Sequence, residues 1–198
     1  MMSREERIIT HADIMDMAEY GKMRAETRTK LRPLKKARQV PLGPFCTFYF
    51  ESYDTMWHQV HEMLFVEKGG EEQIPDELHA YNPMIPQGNE LTATVMFEVT
   101  DVDRRVEILR TLGGVDEKLF LQVGGERIYS TVNEDDIERT TADGKTSSVH
   151  FIRFRMNDDQ AQAFKDQGVE VMLGCDHENY GHMAVISGDA RAELIKDL

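Results

Sequence analysis

Imidazole and carboxylate groups recur along the segment His58-Gln-Val-His61-Glu62, and Glu67 lies just beyond it. Residues three or four apart occupy neighbouring surfaces of a helix, so His58 can lie close to His61 or Glu62. This combination of groups suits zinc or iron. The order of the residues differs from the H-E-x-x-H motif of metalloproteases, so the motif itself has low specificity. A solvated polar helix face is therefore the alternative to a metal site here.

A second group of polar residues occupies the segment 176–182, which holds His177, His182, Asp176 and Glu178. We expect a turn between two strands here, and loops held by a rigid sheet often carry function. Histidine is the side chain whose ordinary pKa suits proton transfer near neutral pH. A polar turn without a role is the alternative.

His150 alternates with Ile152, Phe154 and Met156, so these four side chains share one face of a predicted strand. A single histidine on an apolar face is usually a hydrogen-bonded core residue. If His150 and His177 opened onto one cleft, they could supply two metal ligands or an acid–base pair. The sequence leaves open whether they converge.

Other catalytic signatures are missing from the sequence. The pairs Gly69-Gly70, Gly113-Gly114 and Gly124-Gly125 lack the surrounding residues of phosphate-binding loops. No serine or cysteine has an evident partner that would make it a nucleophile. Cys46 and Cys175 stand far apart, and we expect both to be reduced thiols in the core.

The composition of the 198 residues fits one ordinary domain, with 40% hydrophobic and 30% charged residues and a net charge of −13. The basic residues concentrate in the segment 22–38, which can contact phosphates. Docking of this segment on the acidic remainder of the chain, or on a second copy, is the favoured alternative. The net charge and the lack of interleaved aromatic residues argue against nucleic acid. No apolar run has the length of a membrane span and no signal peptide is evident, so we expect a cytoplasmic protein.

The elements that must position these groups can be predicted from local patterns. A helix is expected from Thr10 to Leu31, with Pro33 ending or bending it. A strand over 40–50 precedes a helix over 54–68, and a short helix follows from Ile74.

The patterns in the remaining chain predict the order strand, helix, strand, strand twice, at 91–132 and at 148–187. A polar loop at 133–146 separates the two units. We therefore predict an α+β fold in a single domain, 1–198. It would comprise a basic helical segment, 1–39, a strand-helix-helix region, 40–90, and two β-α-β-β units in 91–198. The helical portion would pack on a mainly antiparallel sheet. A paired-module metal fold of the vicinal-oxygen-chelate type is the fold-level alternative.

Several runs along the chain together resemble the bacterial family known as domain of unknown function 3501. They are Leu42-Gly43-Pro44, Phe50-Glu51, Thr55-Met56, Glu62-Met63-Leu64, Ala80-Tyr81-Asn82-Pro83, Glu90-Leu91-Thr92-Ala93-Thr94, the segment 148–154 and Asp176-His177. The resemblance implies a cytoplasmic protein without an assigned reaction. It also implies, through the genomic company of such proteins, a link to di-iron proteins and iron–sulfur oxidoreductases. The matching positions include Glu62, Glu67, Glu77, Tyr81, Asn82, His150 and His177, whereas His58 and His61 do not match.

Two hypotheses for the function follow. The first is a metal- or small-molecule-binding protein of redox or peroxide metabolism, for which an enzymatic activity stays open. Its ligand-binding residues would be Glu62, Glu67, Glu77, Tyr81, Asn82, His150 and His177. Of these, Glu62, Glu67, His150 and His177 would be ligands of iron, zinc or manganese. The second is a non-catalytic accessory protein that binds an oxidoreductase partner or another copy of itself.

Overall fold

The structure is a computed structural model that describes residues 2–132 and 145–198. Within these ranges it contains seven α-helices: α1 (Met2–Glu5), α2 (Met17–Ala37), α3 (Tyr53–Glu67), α4 (Ile74–Tyr81), α5 (Val102–Arg110), α6 (Asp158–Lys165) and α7 (Gly188–Leu194). Short 3-10 turns join several of them. Most of the predicted loop at 133–146, namely residues 133–144, lies outside the described residues.

Eight strands form two antiparallel sheets of four strands each. The strands are β1 (Gln39–Leu42), β2 (Cys46–Phe50), β3 (Glu90–Phe97), β4 (Leu119–Val123), β5 (Glu126–Tyr129), β6 (Val149–Arg155), β7 (Val171–His177) and β8 (Tyr180–Val185). The first sheet has the order β1-β2-β3-β6 and the second has the order β5-β4-β7-β8. The strand predicted over 40–50 is thus a hairpin of β1 and β2. Gly43, at the hairpin turn, has a φ of 69° that favours glycine.

The main core lies between the two sheets, because alternate residues of each strand point toward the other sheet. Leu91 and Val95 of β3 are buried there together with Leu121 of β4 and Leu173 of β7. Burial of each such side chain contributes about 1.5–3 kcal/mol to stability. The face of the first sheet that points away from this core holds Thr92, Thr94 and Met96, and it is free to receive the helices.

The two predicted β-α-β-β units correspond to β3-α5-β4-β5 and β6-α6-β7-β8. Equivalent first strands pair with each other in the first sheet, and equivalent second strands pair in the second. The α+β class and the antiparallel pairing are confirmed. The strands are divided between two sheets, however, because each unit completes its sheets only with strands from the other unit.

Helix α2 differs from its predicted bounds at both ends. Thr10 and Asp13 form a capping box on the 3-10 turn His11–Asp13, and α2 begins after Asp16, whose side chain accepts hydrogen bonds from Ala18 N and Glu19 N. The helix continues through Pro33 to Ala37. Proline removes one helical hydrogen bond. Pro33 and Thr29 are both exposed, so water can satisfy the Thr29 carbonyl.

Helices α2, α3 and α4 form a layer on the outer face of the first sheet. A second apolar cluster holds this layer together, with Met56, Val60 and Leu64 of α3 at its centre. Thr92 Oγ1 of β3 donates to the Met84 carbonyl at 2.6 Å, which ties the sheet to the helical layer. The predicted packing of a helical portion on an antiparallel sheet is therefore confirmed. None of the helices described in 2–132 and 145–198 has the length and apolar character needed to cross a membrane.

Candidate functional site

A cavity of about 780 Å³ lies between the helical layer and the outer face of the first sheet. Helices α2 and α3 supply one side of its lining, and strands β2, β3 and β6 supply the other. Its volume falls in the range of cavities that bind small molecules. The cavity is the candidate site.

Four basic side chains of α2 line this cavity: Arg28, Arg32, Lys35 and Lys36. Their spacing of four, three and one residues places them on one side of the helix. We call this group the basic stripe. All four residues are exposed, and no ion pair joins any of them to an acidic group within the described ranges. The stripe therefore presents positive charge to the cavity that no ion pair within residues 2–132 and 145–198 neutralises.

The other basic residues of the same segment behave differently. Arg24 donates from Nε and Nη2 to the two carboxylate oxygens of Glu62 at 2.9 and 2.8 Å. Arg38, immediately after α2, is buried and makes two hydrogen bonds of 2.7 and 2.9 Å to Asp197. Some bases of the segment 22–38 are thus paired with acidic residues of the same chain, while the basic stripe lines the cavity.

The wall opposite the basic stripe is largely apolar. Met96 and Phe151 belong to β3 and β6 and alternate with core residues, so they face away from the main core and line the cavity. Other apolar and aromatic residues of the lining come from both layers: Tyr49, Met56, Met84 and Val149. Three of these residues are methionines, whose flexible side chains adapt to irregular shapes.

One buried carboxyl group also lines the cavity. Glu51 follows β2, and its two oxygens accept hydrogen bonds from Thr94 Oγ1 at 2.7 Å and Thr55 Oγ1 at 2.6 Å. Burial raises the pKa of Glu51, although these two hydrogen bonds and the charges of Lys35 and Arg38 oppose the shift. The Glu51 side chain is therefore held in one position at the end of the sheet.

A hydrogen-bonded chain runs from α2 into the cavity wall. The hydroxyl of Tyr20, a completely buried residue, lies 2.7 Å from Glu62 Oε1 and 3.0 Å from His58 Nδ1. The Arg24 hydrogen bonds are the main cause that lowers the pKa of Glu62 to about 2. Burial, followed by the charge of Lys35, lowers the pKa of His58 to about 4. Near neutral pH, Glu62 is consequently charged and His58 is neutral.

Two comparisons with known proteins found matches over almost the whole chain. Residues 8–198 match the family model described as Protein of unknown function (DUF3501). The chain belongs to this family. It is also similar to a crystal structure described as a novel protein of unknown function from Burkholderia pseudomallei K96243. The two share 34% sequence identity with a TM-score of 0.88, over 96% of this chain and 98% of the other. No curated protein matches the chain.

The family is thus the one that the sequence resembles, and the structure now locates the residues that the resemblance indicated. Tyr81 lines the cavity, and Gln59 Nε2 lies 3.4 Å from its hydroxyl oxygen. Glu62 accepts hydrogen bonds from Tyr20 and Arg24 behind the cavity wall. These two residues therefore lie in or directly behind the candidate site.

Three other predicted residues make structural contacts. The amide of Gln73 donates to Glu67 Oε2 and to Glu77 Oε1, at 2.7 Å in each case. Asn82 accepts from Ile9 N at 2.8 Å and donates to Ile9 O at 2.9 Å, which fixes the segment before α2. These contacts connect segments of the helical layer, and none of the three residues lines the described cavity.

His150 and His177 lie in different sheets. His150, on β6, is buried in the main core, where its Nε2 lies 2.9 Å from Ser147 O. His177 is at the end of β7. Its Nε2 lies 3.2 Å from Gly113 O, and its Nδ1 accepts a hydrogen bond from Asn179 N at 3.2 Å. Both rings have local backbone partners. The interpretation of His150 as a hydrogen-bonded core residue matches these contacts.

The described residues include no group of three or more His, Cys, Asp or Glu side chains that could hold a metal ion. The proposed ligands Glu62, Glu67, His150 and His177 are therefore not assembled into a centre for iron, zinc or manganese. Cys46 and Cys175 are buried free thiols, as expected, and burial raises the pKa of Cys175 to about 11.

The sequence did not single out the residues that make the cavity distinctive. The bases at 28, 32, 35 and 36 were visible as part of a basic segment, and their helical spacing could have shown that they share one face. For His58 the sequence suggests a metal ligand or a solvated polar helix face, and neither prediction includes its contact with Tyr20. Nothing local indicated that Met96 and Phe151 would form the opposite wall.

Proposed function

We propose that the cavity binds a small organic anion, a molecule with an apolar body and at least one acidic group. The observation that supports this most directly is the basic stripe, which faces an apolar wall across a cavity of about 780 Å³. An acidic group of the ligand would lie against the stripe, and the apolar body would contact the apolar side chains of the lining. The proposal specifies the small-molecule part of the first hypothesis.

Charge balance supports the anionic part of the ligand. The protein has a net charge of −13, yet the four bases of the stripe form no ion pair in the part of the chain that the structure describes. A hydrogen bond to a charged group contributes about 1.5–3 kcal/mol. A carboxylate, sulfonate or phosphate that reaches two of these side chains would therefore gain affinity of at least an order of magnitude.

The lining supports the apolar part. Phe151 and Met96 are held on strands whose other face is in the main core, so this wall is rigid at its base. Met56 and Met84 add flexible side chains at the contact. Such a lining suits the flat or extended hydrocarbon portion of a ligand.

The test uses 2-naphthoate, an aromatic carboxylate, titrated into the protein and followed by calorimetry. We expect saturable one-to-one binding, and weaker binding of the neutral comparator 2-naphthamide. The double variant Arg32→Gln/Lys35→Gln should bind 2-naphthoate at least tenfold more weakly. The matched control is Lys22→Gln/Lys30→Gln, which removes the same charge from α2 away from the cavity and should bind as the parent does.

Two results would contradict the proposal. One is the absence of saturable 2-naphthoate binding to the parent. The other is an equal loss of affinity in the two double variants, which would show that only net charge matters. The predicted oxidoreductase partner, self-association and link to redox metabolism stay separate predictions, to which the cavity adds no support.

A further inference from the structure

Hydrogen bonds link the side chains of Arg24, Glu62, Tyr20 and His58. These hydrogen bonds determine which atoms of Tyr20 and His58 carry the protons. Glu62 is held by two hydrogen bonds from Arg24 and is ionised, so its oxygen Oε1 can only accept. The Tyr20 hydroxyl has a single proton, and it lies 2.7 Å from that oxygen. Tyr20 therefore donates to Glu62, and its own oxygen is left to accept.

The remaining contact of the hydroxyl fixes the state of His58. His58 Nδ1 lies 3.0 Å from the Tyr20 oxygen, which has no second proton to give. The ring must therefore donate from Nδ1, and a neutral imidazole with its proton on Nδ1 presents a lone pair at Nε2. In this way Glu62 and Tyr20 act as positioning residues for His58.

His58 is 5% exposed and lines the cavity of the basic stripe. Within residues 2–132 and 145–198, Nε2 of His58 has no hydrogen-bond partner. The charged groups that act on the ring are Lys35 and Arg28 from α2 and Glu62 from its own helix, and the neighbouring His61 ring adds a weaker effect. Burial and the two cations from α2 keep the ring neutral.

We propose that His58 Nε2 is a fixed hydrogen-bond acceptor in the cavity and selects anions that also carry an O–H or N–H group. This inference rests on the proposed function, because it names the chemical class of the ligand in the same cavity. The guanidinium and ammonium groups of the stripe only donate hydrogen bonds. An acceptor among these donors discriminates a hydroxylated acid from the plain acid, because only the hydroxylated acid can donate a hydrogen bond to it.

The first experiment reads the proton position directly by nitrogen NMR of the histidine rings. We expect His58 to be neutral and protonated at Nδ1 at pH 7, and the variant Tyr20→Phe to shift the proton to Nε2. His61 is an internal control, because its Nδ1 lies 2.7 Å from the Trp57 carbonyl and its Nε2 accepts from Met15 N at 3.0 Å. An unchanged His61 signal shows that the variant is folded. A parent His58 that is protonated at Nε2 would overturn the inference.

The second experiment compares 2-naphthoate with 3-hydroxy-2-naphthoate and 6-hydroxy-2-naphthoate. At least one hydroxylated probe should bind the parent about tenfold more tightly than 2-naphthoate. The ratio of the two affinities should fall to about one in His58→Leu. If 2-naphthoate binds but neither hydroxylated probe gains affinity, the ligand class is wrong while the anion site stands. If no probe binds, the proposed function itself fails.

Discussion

Acidification should destabilise the protein through His58, and the sign follows from its surroundings. Burial, with the charges of Lys35 and Arg28, lowers the pKa of His58 from 6.5 to about 4 in the folded protein. The unfolded chain keeps the ordinary value. Above pH 6.5 neither state holds the proton, so His58 makes no contribution to the pH dependence. As the pH falls below 6.5, His58 becomes protonated in the unfolded state but stays neutral in the folded state. The free energy of unfolding therefore decreases until about pH 4.

The size of the effect follows from the same two values. A difference between 6.5 and about 4 corresponds to about 3 kcal/mol when the unfolded histidine is fully protonated. Between pH 7 and pH 5 only part of this range is crossed, and the expected loss is about 2 kcal/mol. This is a large share of the stability of a typical domain, which is about 5–15 kcal/mol.

Urea denaturation of the parent and of His58→Leu at pH 7 and pH 5 measures this loss. The variant lacks the titrating ring, whereas both proteins keep the other shifted groups, among them His61, Glu62 and Glu51. The parent should therefore lose about 2 kcal/mol more than the variant does. Equal losses in the two proteins would refute the reasoning, because they would show that His58 titrates alike in both states.

Two further predictions concern stability. Arg38→Leu leaves Asp197 buried without its two hydrogen bonds and should cost about 3–5 kcal/mol, whereas Arg38→Leu/Asp197→Leu should cost much less. Urea denaturation gives the free energy of unfolding of both variants. A double variant that loses more stability than Arg38→Leu alone would contradict this prediction. Gly174→Ala would place a methyl group in steric conflict with the buried Phe120 ring and should cost about 1–3 kcal/mol, while Gly181→Ala, which meets open space, should leave the melting temperature nearly unchanged. Equal melting temperatures for the two glycine variants would contradict this reading.

The parts of the fold that depend on neighbouring residues were predictable from the sequence. The alternation in 91–99 and the Gly124-Gly125 turn gave a strand and a hairpin, because side-chain period and positive φ are local properties. The pairing of β3 with β6 was not predictable in this way. It joins segments more than fifty residues apart, and alternation indicates a buried face without naming the strand that lies beside it.

The candidate site shows the same limit at the level of single residues. Arg32 and Lys35 were recognisable as part of a basic segment, but only the folded chain places them opposite Phe151. Glu62 was singled out for its carboxylate, and its role depends on Tyr20, which lies 42 residues away. The metal hypothesis assumed that conspicuous side chains meet, whereas His150 and His177 each found a backbone partner nearby.

The proline inside α2 has a consequence for the way a molecule enters the cavity. Pro33 interrupts the hydrogen bonding of the helix between two pairs of the basic stripe, Arg28 with Arg32 and Lys35 with Lys36. A helix bends most easily where a proline removes a hydrogen bond. Curvature at this point changes the separation of the two pairs, while the sheet that forms the opposite wall stays fixed. Bending of α2 at Pro33 would therefore change the distance between the two basic pairs without disturbing the main core.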